Sequence, residues 1–465
     1  MFNETHTPPT AEKIWSGKDL LLRALRHEAV PSVPWVPYAG VHAGKLKGYT
    51  ATEVLRNSRK LVDALLAVNE VYDPDGQPVV FDLQLEAEIL GCELYWTDNT
   101  PPSVATHPLA GVAEIPQHVP AVDEGRLPIV LEAMRQMKAA VGDRTGLYGL
   151  VTGPLTLASH LRGTEIFMNM MRQPDYVQRL IRYAADTARQ IATYYIDAGM
   201  DVIGLVDPLV SQISPRHFDL YLAEAYSELF AHIRRQAACS SFFVCGDGTK
   251  NLAVMCQTGP DSLAVDENID MLAAKPITDA HNVTLCGNIP LTTKMLLGSQ
   301  QDNMKFVVDF LDSIDHHNLI LSPGCDMPYD TPVENVVGCM QAVRHVEETR
   351  QLLQNYQTPA IDLDAVAIPN YKGLDKPLVE VFTLDSASCA ACAYMLRAAV
   401  DAAAELPGEV RVVEYKFTKP ENVARVLKMG VKNLPSLYIN GELKFSSLIP
   451  AQQVLIDEIK KYIEN

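Results

Sequence analysis

Between Val33 and Cys325 one pattern recurs eight times: a short apolar run, then a longer amphipathic stretch. The runs are Val33-Pro-Trp-Val-Pro-Tyr38, Val79-Val-Phe-Asp82, Leu147-Tyr-Gly-Leu-Val-Thr152, Val202-Ile-Gly-Leu-Val-Asp207, Phe242-Phe-Val-Cys245, Leu263-Ala-Val-Asp266, Val283-Thr-Leu-Cys286 and Leu319-Ile-Leu-Ser322. Each is β-branched or aromatic in flavour and apolar on both faces, as a buried parallel strand reads. The stretches between them read as helices. From Pro174 to Gly199, Val177, Leu180, Ile181, Ala184, Ala188, Ile191 and Tyr195 recur at spacings of three and four, with proline suited to the first turn and glycine to the carboxyl-terminal cap. The expected fold is an α/β (β/α)8 TIM barrel, although an open doubly wound sheet gives a similar alternation. The barrel is favoured because nearly every run ends in a polar or reactive residue: His42, Asp82, Thr152, Asp207, Cys245, Asp266, Cys286 and Cys325. Active sites of such barrels are built on that rim.

At 465 residues the chain exceeds one compact core. The alternation stops near Glu348, and a segment rich in proline and turn formers leads to a new β-α-β pattern at Leu378-Val-Glu-Val-Phe-Thr383. The expected division is a barrel over 1–350, a linker over 351–376 and a small domain over 377–465. A formal net charge of -18 argues against nucleic acid as the main partner. Met1 to Lys13 lacks the apolar segment of a signal peptide, and no apolar stretch approaches the ~20 residues of a membrane span. The nine cysteines form no regular framework, as expected in a reducing compartment, so a cytoplasmic location without membrane association is expected.

The strand-end segments Val151-Thr-Gly-Pro-Leu-Thr-Leu-Ala158, Val206-Asp-Pro-Leu-Val-Ser211, Ile213-Ser-Pro-Arg-His-Phe218, Val244-Cys-Gly-Asp247, Cys286-Gly-Asn-Ile-Pro290 and Ser322-Pro-Gly-Cys325, in this order and spacing, resemble the uroporphyrinogen decarboxylase-like superfamily over about residues 18–348. That superfamily includes the zinc-dependent corrinoid methyltransferases. In the decarboxylase branch the first strand end carries two arginines around an Ala-Gly pair, which suits a substrate with many carboxylates. Here the segment is Pro37-Tyr-Ala-Gly-Val-His42, without arginine, so only Asp82 matches that branch. In the methyltransferase branch His-x-Cys after the fifth strand and a cysteine after the eighth bind zinc. The resemblance therefore implies Cys245 and Cys325 as ligands, with Phe243 where the histidine would stand.

Zinc in an open site takes three protein ligands. Glu267, just past the sixth strand in Val265-Asp-Glu-Asn268, leads as the third, followed by Asp266, Asp247 and Cys286. His281 precedes its strand and belongs to the opposite rim. The implied chemistry is methyl transfer to or from a cobamide (methylcobalamin) carried by a separate corrinoid protein, with a small methyl donor or thiol acceptor. Asp82, Asp207 and His42 are candidate catalytic groups, and Ser211 and Asn288 candidate substrate-binding groups. Asp207, ahead of Pro208, reads equally well as a turn cap, and His42 and His217 as structural histidines. Gly153-Pro154 and Gly287-Asn288 turn the backbone tightly.

In the carboxyl-terminal part, Ser388-Cys-Ala-Ala-Cys392 opens a helix after a strand. A helix amino terminus lowers the pKa of the first thiol, Cys389, and Cys392 would resolve the mixed disulfide. Val431-Lys-Asn-Leu-Pro-Ser-Leu-Tyr-Ile-Asn-Gly441 resembles the thioredoxin segment whose cis proline, here Pro435, faces the thiols, so a thioredoxin-like domain is expected. The leading reading of the whole is a zinc-dependent corrinoid methyltransferase with an attached thiol-disulfide module. The alternatives are a cofactor-free decarboxylase or lyase of a smaller acid, and a non-catalytic redox partner that docks a corrinoid protein. A homodimer is compatible with either.

Overall fold

The computed structural model describes residues 15–358, 362–364, 366–386, 390–447 and 449–463. Seven parallel strands succeed one another in sheet order as in sequence: β1 (Gly76–Val80), β2 (Gly146–Thr152), β3 (Val202–Val206), β4 (Cys239–Val244), β5 (Ser262–Val265), β6 (Thr284–Ile289) and β7 (Leu319–Pro323). Every residue in them is buried, which is why the runs carry no polar alternation. The run over 33–38 fills the eighth place without being a regular strand. Val36 N donates to Leu321 O at 3.0 Å and Leu321 N to Pro34 O at 2.9 Å, while Trp35 O accepts from Asp75 N at 2.9 Å. Pro34 and Pro37 have no N–H to give, so the ladder is cut to a single bridge, Trp35 to Leu321, where eight full strands were expected. The architecture is a TIM-like barrel.

Helices cover the outside, among them α1 (Pro154–Arg162) after β2, α2 (Pro174–Asp197) and α3 (Ala223–Arg235). In α2 the predicted apolar positions face inward and are buried, proline occupies the first turn, and the chain leaves through Gly199 at φ 98°. Burying each of Val177, Leu180, Ile181 and Ile191 there contributes about 1.5–3 kcal/mol. The barrel interior is filled by a second cluster containing Tyr38, Phe81, Tyr148, Val206, Phe243, Cys286 and Ile320. Its centre is aromatic: Tyr38 lies 4.8 Å from Phe243 and 6.4 Å from Tyr148, ring to ring.

The carboxyl-terminal domain is a four-stranded sheet in the order β9 (Arg411–Lys416), β8 (Leu378–Thr383), β10 (Ser436–Ile439), β11 (Glu442–Ser446), with β8 and β9 parallel and the other pairs antiparallel. Helices α4 (Ala390–Ala404), α5 (Pro420–Lys428) and α6 (Gln452–Ile463) complete a thioredoxin-like α/β fold around Val379, Val381, Met395, Leu437, Ile439 and Leu455. The Leu434–Pro435 peptide is cis, as the sequence predicts.

The segment before β8 clings to both parts. Tyr356 Oη bonds Ser299 Oγ at 2.9 Å on the barrel, and Tyr371 Oη donates to buried Glu380 at 2.7 Å in the small domain. The two parts also touch directly. Tyr394 of α4 is buried with the barrel core, its hydroxyl bonded to Ser159 Oγ of α1 at 3.0 Å, and Ile449 packs against the same core. Among the described residues no helix is long and apolar enough to cross a membrane.

Candidate active site at the barrel mouth

Strands β4 and β7 are separated in the sheet by β5 and β6, yet each is followed by one cysteine on the carboxyl-terminal rim, and the two cysteines meet across the mouth. Cys245 and Cys325, separated by 80 residues in sequence, are joined as a disulfide with Cα atoms 6.2 Å apart. Both are partly exposed, whereas the other described cysteines are buried. Burial pushes the thiols of Cys92, Cys256 and Cys286 up to about 12, so they stay protonated and unreactive. The pair on the rim thus holds the partly exposed cysteine sulfurs of the barrel among the described residues. Cys286 points into the aromatic interior beside Tyr38 rather than toward it.

The donor set for zinc does not close around this pair. Among the described residues no group of three or more His, Cys, Asp or Glu could hold a metal ion. Phe243, at the position of the expected histidine, is buried with its ring 5.7 Å from Phe81. The Glu267 carboxylate is spent on the backbone, accepting from Leu291 N at 2.5 Å and from Thr292 N as well. Asp266 is spent on Asn268 N at 2.9 Å, and Asp247 on Thr249 N at 3.1 Å. His281 caps its own helix through Ile277 O at 2.9 Å, away from the mouth. Two thiolates at most face three required ligands, so the residues present do not fit the expected zinc centre of Cys245, Cys325 and Glu267.

The other candidates separate into the rim and its supports. Asp82 forms a buried ion pair with Arg126 at 2.5 Å, and Arg126 also holds Glu88 at 2.6 Å. Asp207 is fully buried and accepts four bonds: Leu155 N and Thr156 N at 2.9 Å, and Thr156 Oγ1 and Tyr226 Oη at 2.6 Å. It caps the first turn of α1, a neighbouring helix, instead of the turn at Pro208. His42 lies between Tyr72 Oη at 2.7 Å and Tyr329 O at 3.1 Å, and burial lowers its pKa to about 4, so it is a neutral structural link. Ser211 donates to Pro208 O at 2.7 Å within the 3-10 turn Pro208–Gln212, and Asn288 spends its amide on Asp266 O and Ile269 O at 2.9 and 2.7 Å. His217 lies partly exposed on the helix Pro215–Tyr221, outside the mouth.

Groups not singled out from sequence complete the mouth. Asp326, next to Cys325, accepts from Gly40 N at 2.8 Å and tethers the first strand end to the last. Desolvation raises its carboxyl to about 8, as it does that of Glu267. Glu86 binds Thr152 Oγ1 at 2.6 Å and is raised to about 7. The mouth therefore carries carboxyl groups that exchange protons near neutral pH. Asp326 was findable as the residue following a strand-end cysteine; Glu86 carries no such signal.

In the small domain Cys392, near the start of α4, is buried with its Sγ 3.4 Å from Leu384 N. Pro435 begins the turn into β10, opposite β8. Cys389 lies outside the described residues.

Comparison with known proteins follows this division. The sequence profile of the uroporphyrinogen decarboxylase (URO-D) family matches residues 16–346, and that of a thioredoxin domain matches 378–462. A methylcobamide:CoM methyltransferase (MtbA) of Methanosarcina acetivorans is 25% identical over 339 residues, 71% of this chain and 98% of that protein. A uroporphyrinogen decarboxylase of Nostoc punctiforme is 26% identical over 334 residues, 68% of this chain and 93% of that protein. Among solved structures, a methyltransferase from Methanosarcina mazei superposes with a TM-score of 0.66 at 26% identity, covering 72% of this chain and 99% of that one. The chain belongs to the uroporphyrinogen decarboxylase family and carries a thioredoxin domain at its carboxyl end.

Proposed function

We propose that this chain transfers a methyl group between a cobamide carried by a partner protein and a small sulfur compound, at the mouth where Cys245 and Cys325 meet. Identity alone does not choose between the branches, since decarboxylase and methyltransferase relatives lie equally near. One observation carries the choice. Arg126, the buried arginine beside the mouth, is already neutralised by Asp82 and Glu88, and the first strand end brings no arginine of its own. A polycarboxylate would thus meet carboxylates and thiols rather than guanidinium groups. A thiol substrate meets a better environment, because it brings no carboxylate into a mouth where burial keeps Glu267 and Asp326 largely protonated at neutral pH.

The partner's cobamide supplies the methyl group as an electrophile when it is docked. The chain's own residues then orient the sulfur and exclude water with the aromatic cluster beneath the pair, and the thiol proton is released to solvent. No step is routed through zinc, because the donor set offers only two sulfurs. The test is demethylation of free methylcobalamin, followed by absorbance, with the fully reduced chain and a panel of small thiols. Formation of the demethylated cobamide with one thiol class supports the proposal. Absence of methyl transfer with every thiol, together with decarboxylation of a small acid, would transfer the chain to the other branch.

A further inference from the structure

An outer helix of a barrel normally keeps one face for water, but all nine residues of α1 are buried. Asp207 holds its first turn from the core side. Its outer side is shared between the loop that carries Cys92 and His107 and the small domain. Cys92 Sγ donates to His160 O at 3.4 Å, and His107 Nδ1 lies 2.7 Å from the same oxygen. From the small domain, Tyr394 of α4 accepts from Ser159 Oγ at 3.0 Å and donates to Ser159 O at 3.5 Å, and Ile449 packs against the same core. Helix α4 also stands on the 3-10 turn Pro208–Gln212 after β3. That turn abuts the loop after β4, where a Cβ placed on Gly246, the residue after Cys245, would lie 3.0 Å from Ser211 Oγ. The small domain thus rests on the sector of the rim next to the sulfur pair.

Two features make this contact one that can open. It is narrow: among the described residues, α4 on that turn is the main packing between regular elements of the two parts, and inter-domain contacts move unless they are large and apolar. Its buried centre is also polar, a pair of hydroxyls that water satisfies once they part. A protein that docks specifically covers about 800 Å² of its partner, a patch roughly 30 Å across and as wide as a barrel mouth. Such a patch cannot be laid over Cys245 and Cys325 while α4 occupies the neighbouring sector. We infer that the small domain is a lid, latched by Tyr394 on Ser159 over the β2–β3 sector of the mouth, and that its lifting admits the cobamide carrier. The carrier rests on the proposed methyl transfer; the latch does not. A carrier that binds only the lifted state draws the lid open, and the closed state lowers its apparent affinity by the fraction of chains that are lifted.

Cys92 serves as the reporter. It is buried beside the latch, close enough to the Tyr394 hydroxyl to oppose its ionisation. Cys256, Cys286 and Cys339 are buried elsewhere in the barrel and register opening of the barrel as a whole. Reduced full-length protein is pulsed with N-ethylmaleimide under native conditions, and the labelling rate of each cysteine is read by mass spectrometry. Tyr394→Phe removes only the hydroxyl and leaves Ser159 without its partner, which raises the lifted fraction about tenfold. Cys92 should then label about tenfold faster than in wild type while Cys256, Cys286 and Cys339 keep their rates. Free methylcobalamin, whose corrin enters by the same mouth, should be demethylated about tenfold faster. Equal Cys92 rates in the two proteins, or a rise shared by all four thiols, would overturn the lid. A selective rise at Cys92 without faster turnover, in a chain that does turn methylcobalamin over, would overturn its gating of the mouth. Inactivity of both proteins would refute methyl transfer alone, and the Cys92 rates would still decide the latch.

Discussion

Replacing Asp207 with alanine separates a supporting role from a catalytic one. The carboxylate accepts from two backbone amides in the first turn of α1, from Thr156 Oγ1 and from Tyr226 Oη, all in the dry layer between β3 and the outer helices. Asp207→Ala leaves four donors without an acceptor, and each such loss costs about 1–3 kcal/mol. The losses are shared within one network and are not additive, so the lower bound of about 4 kcal/mol is the working figure. For a barrel of this size each kcal/mol moves the midpoint by about 2 °C, which gives a fall of about 8 °C. The assay is thermal unfolding of the full-length protein followed by circular dichroism, with methyl transfer measured well below the lowered midpoint. Retained activity in a protein that melts about 8 °C lower is the expected result. An unchanged midpoint with lost activity would refute the capping role and return Asp207 to the catalytic set.

His42 is held neutral with a pKa of about 4, against about 6.5 in the unfolded chain. The unfolded chain binds its proton first, so stability falls as pH drops from about 6.5 to about 4, by up to about 3 kcal/mol. His42→Gln should flatten that dependence in urea-unfolding midpoints taken at several pH values, and an unchanged slope would count against it. Phe243→His should create the missing third zinc ligand at the expense of ring contacts to Tyr38 and Phe81 worth about 0.5–1.5 kcal/mol each. The reduced variant should retain one zinc through dialysis against a weak chelator while the reduced wild type loses it; equal retention would show that another residue completes the site.

Much of the barrel was readable because a strand buried on both faces leaves an unbroken apolar run. The exception, 33–38, was legible as a stave but not as a bridge, since its two prolines act on hydrogen bonds that only the neighbours define. The meeting of Cys245 and Cys325 came from a resemblance, because no local pattern links residues 80 apart. Side-chain direction past a strand end was not readable. Glu267 stands on the expected rim, yet its carboxylate satisfies the backbone N–H of Leu291, a need set by how the next loop folds. The contact of Tyr394 with Ser159 joins residues 235 apart and left no mark in composition or periodicity.

The central claim is that the sulfur pair at the mouth is where methyl transfer occurs. It is tested most directly by the rate at which fully reduced protein demethylates methylcobalamin with its best thiol, in wild type and in Cys245→Ser and Cys325→Ser, each first shown to melt like wild type. Both substitutions are expected to lower the rate by about 100-fold, the scale of misplacing a reacting group. Wild-type rates in both variants would contradict it.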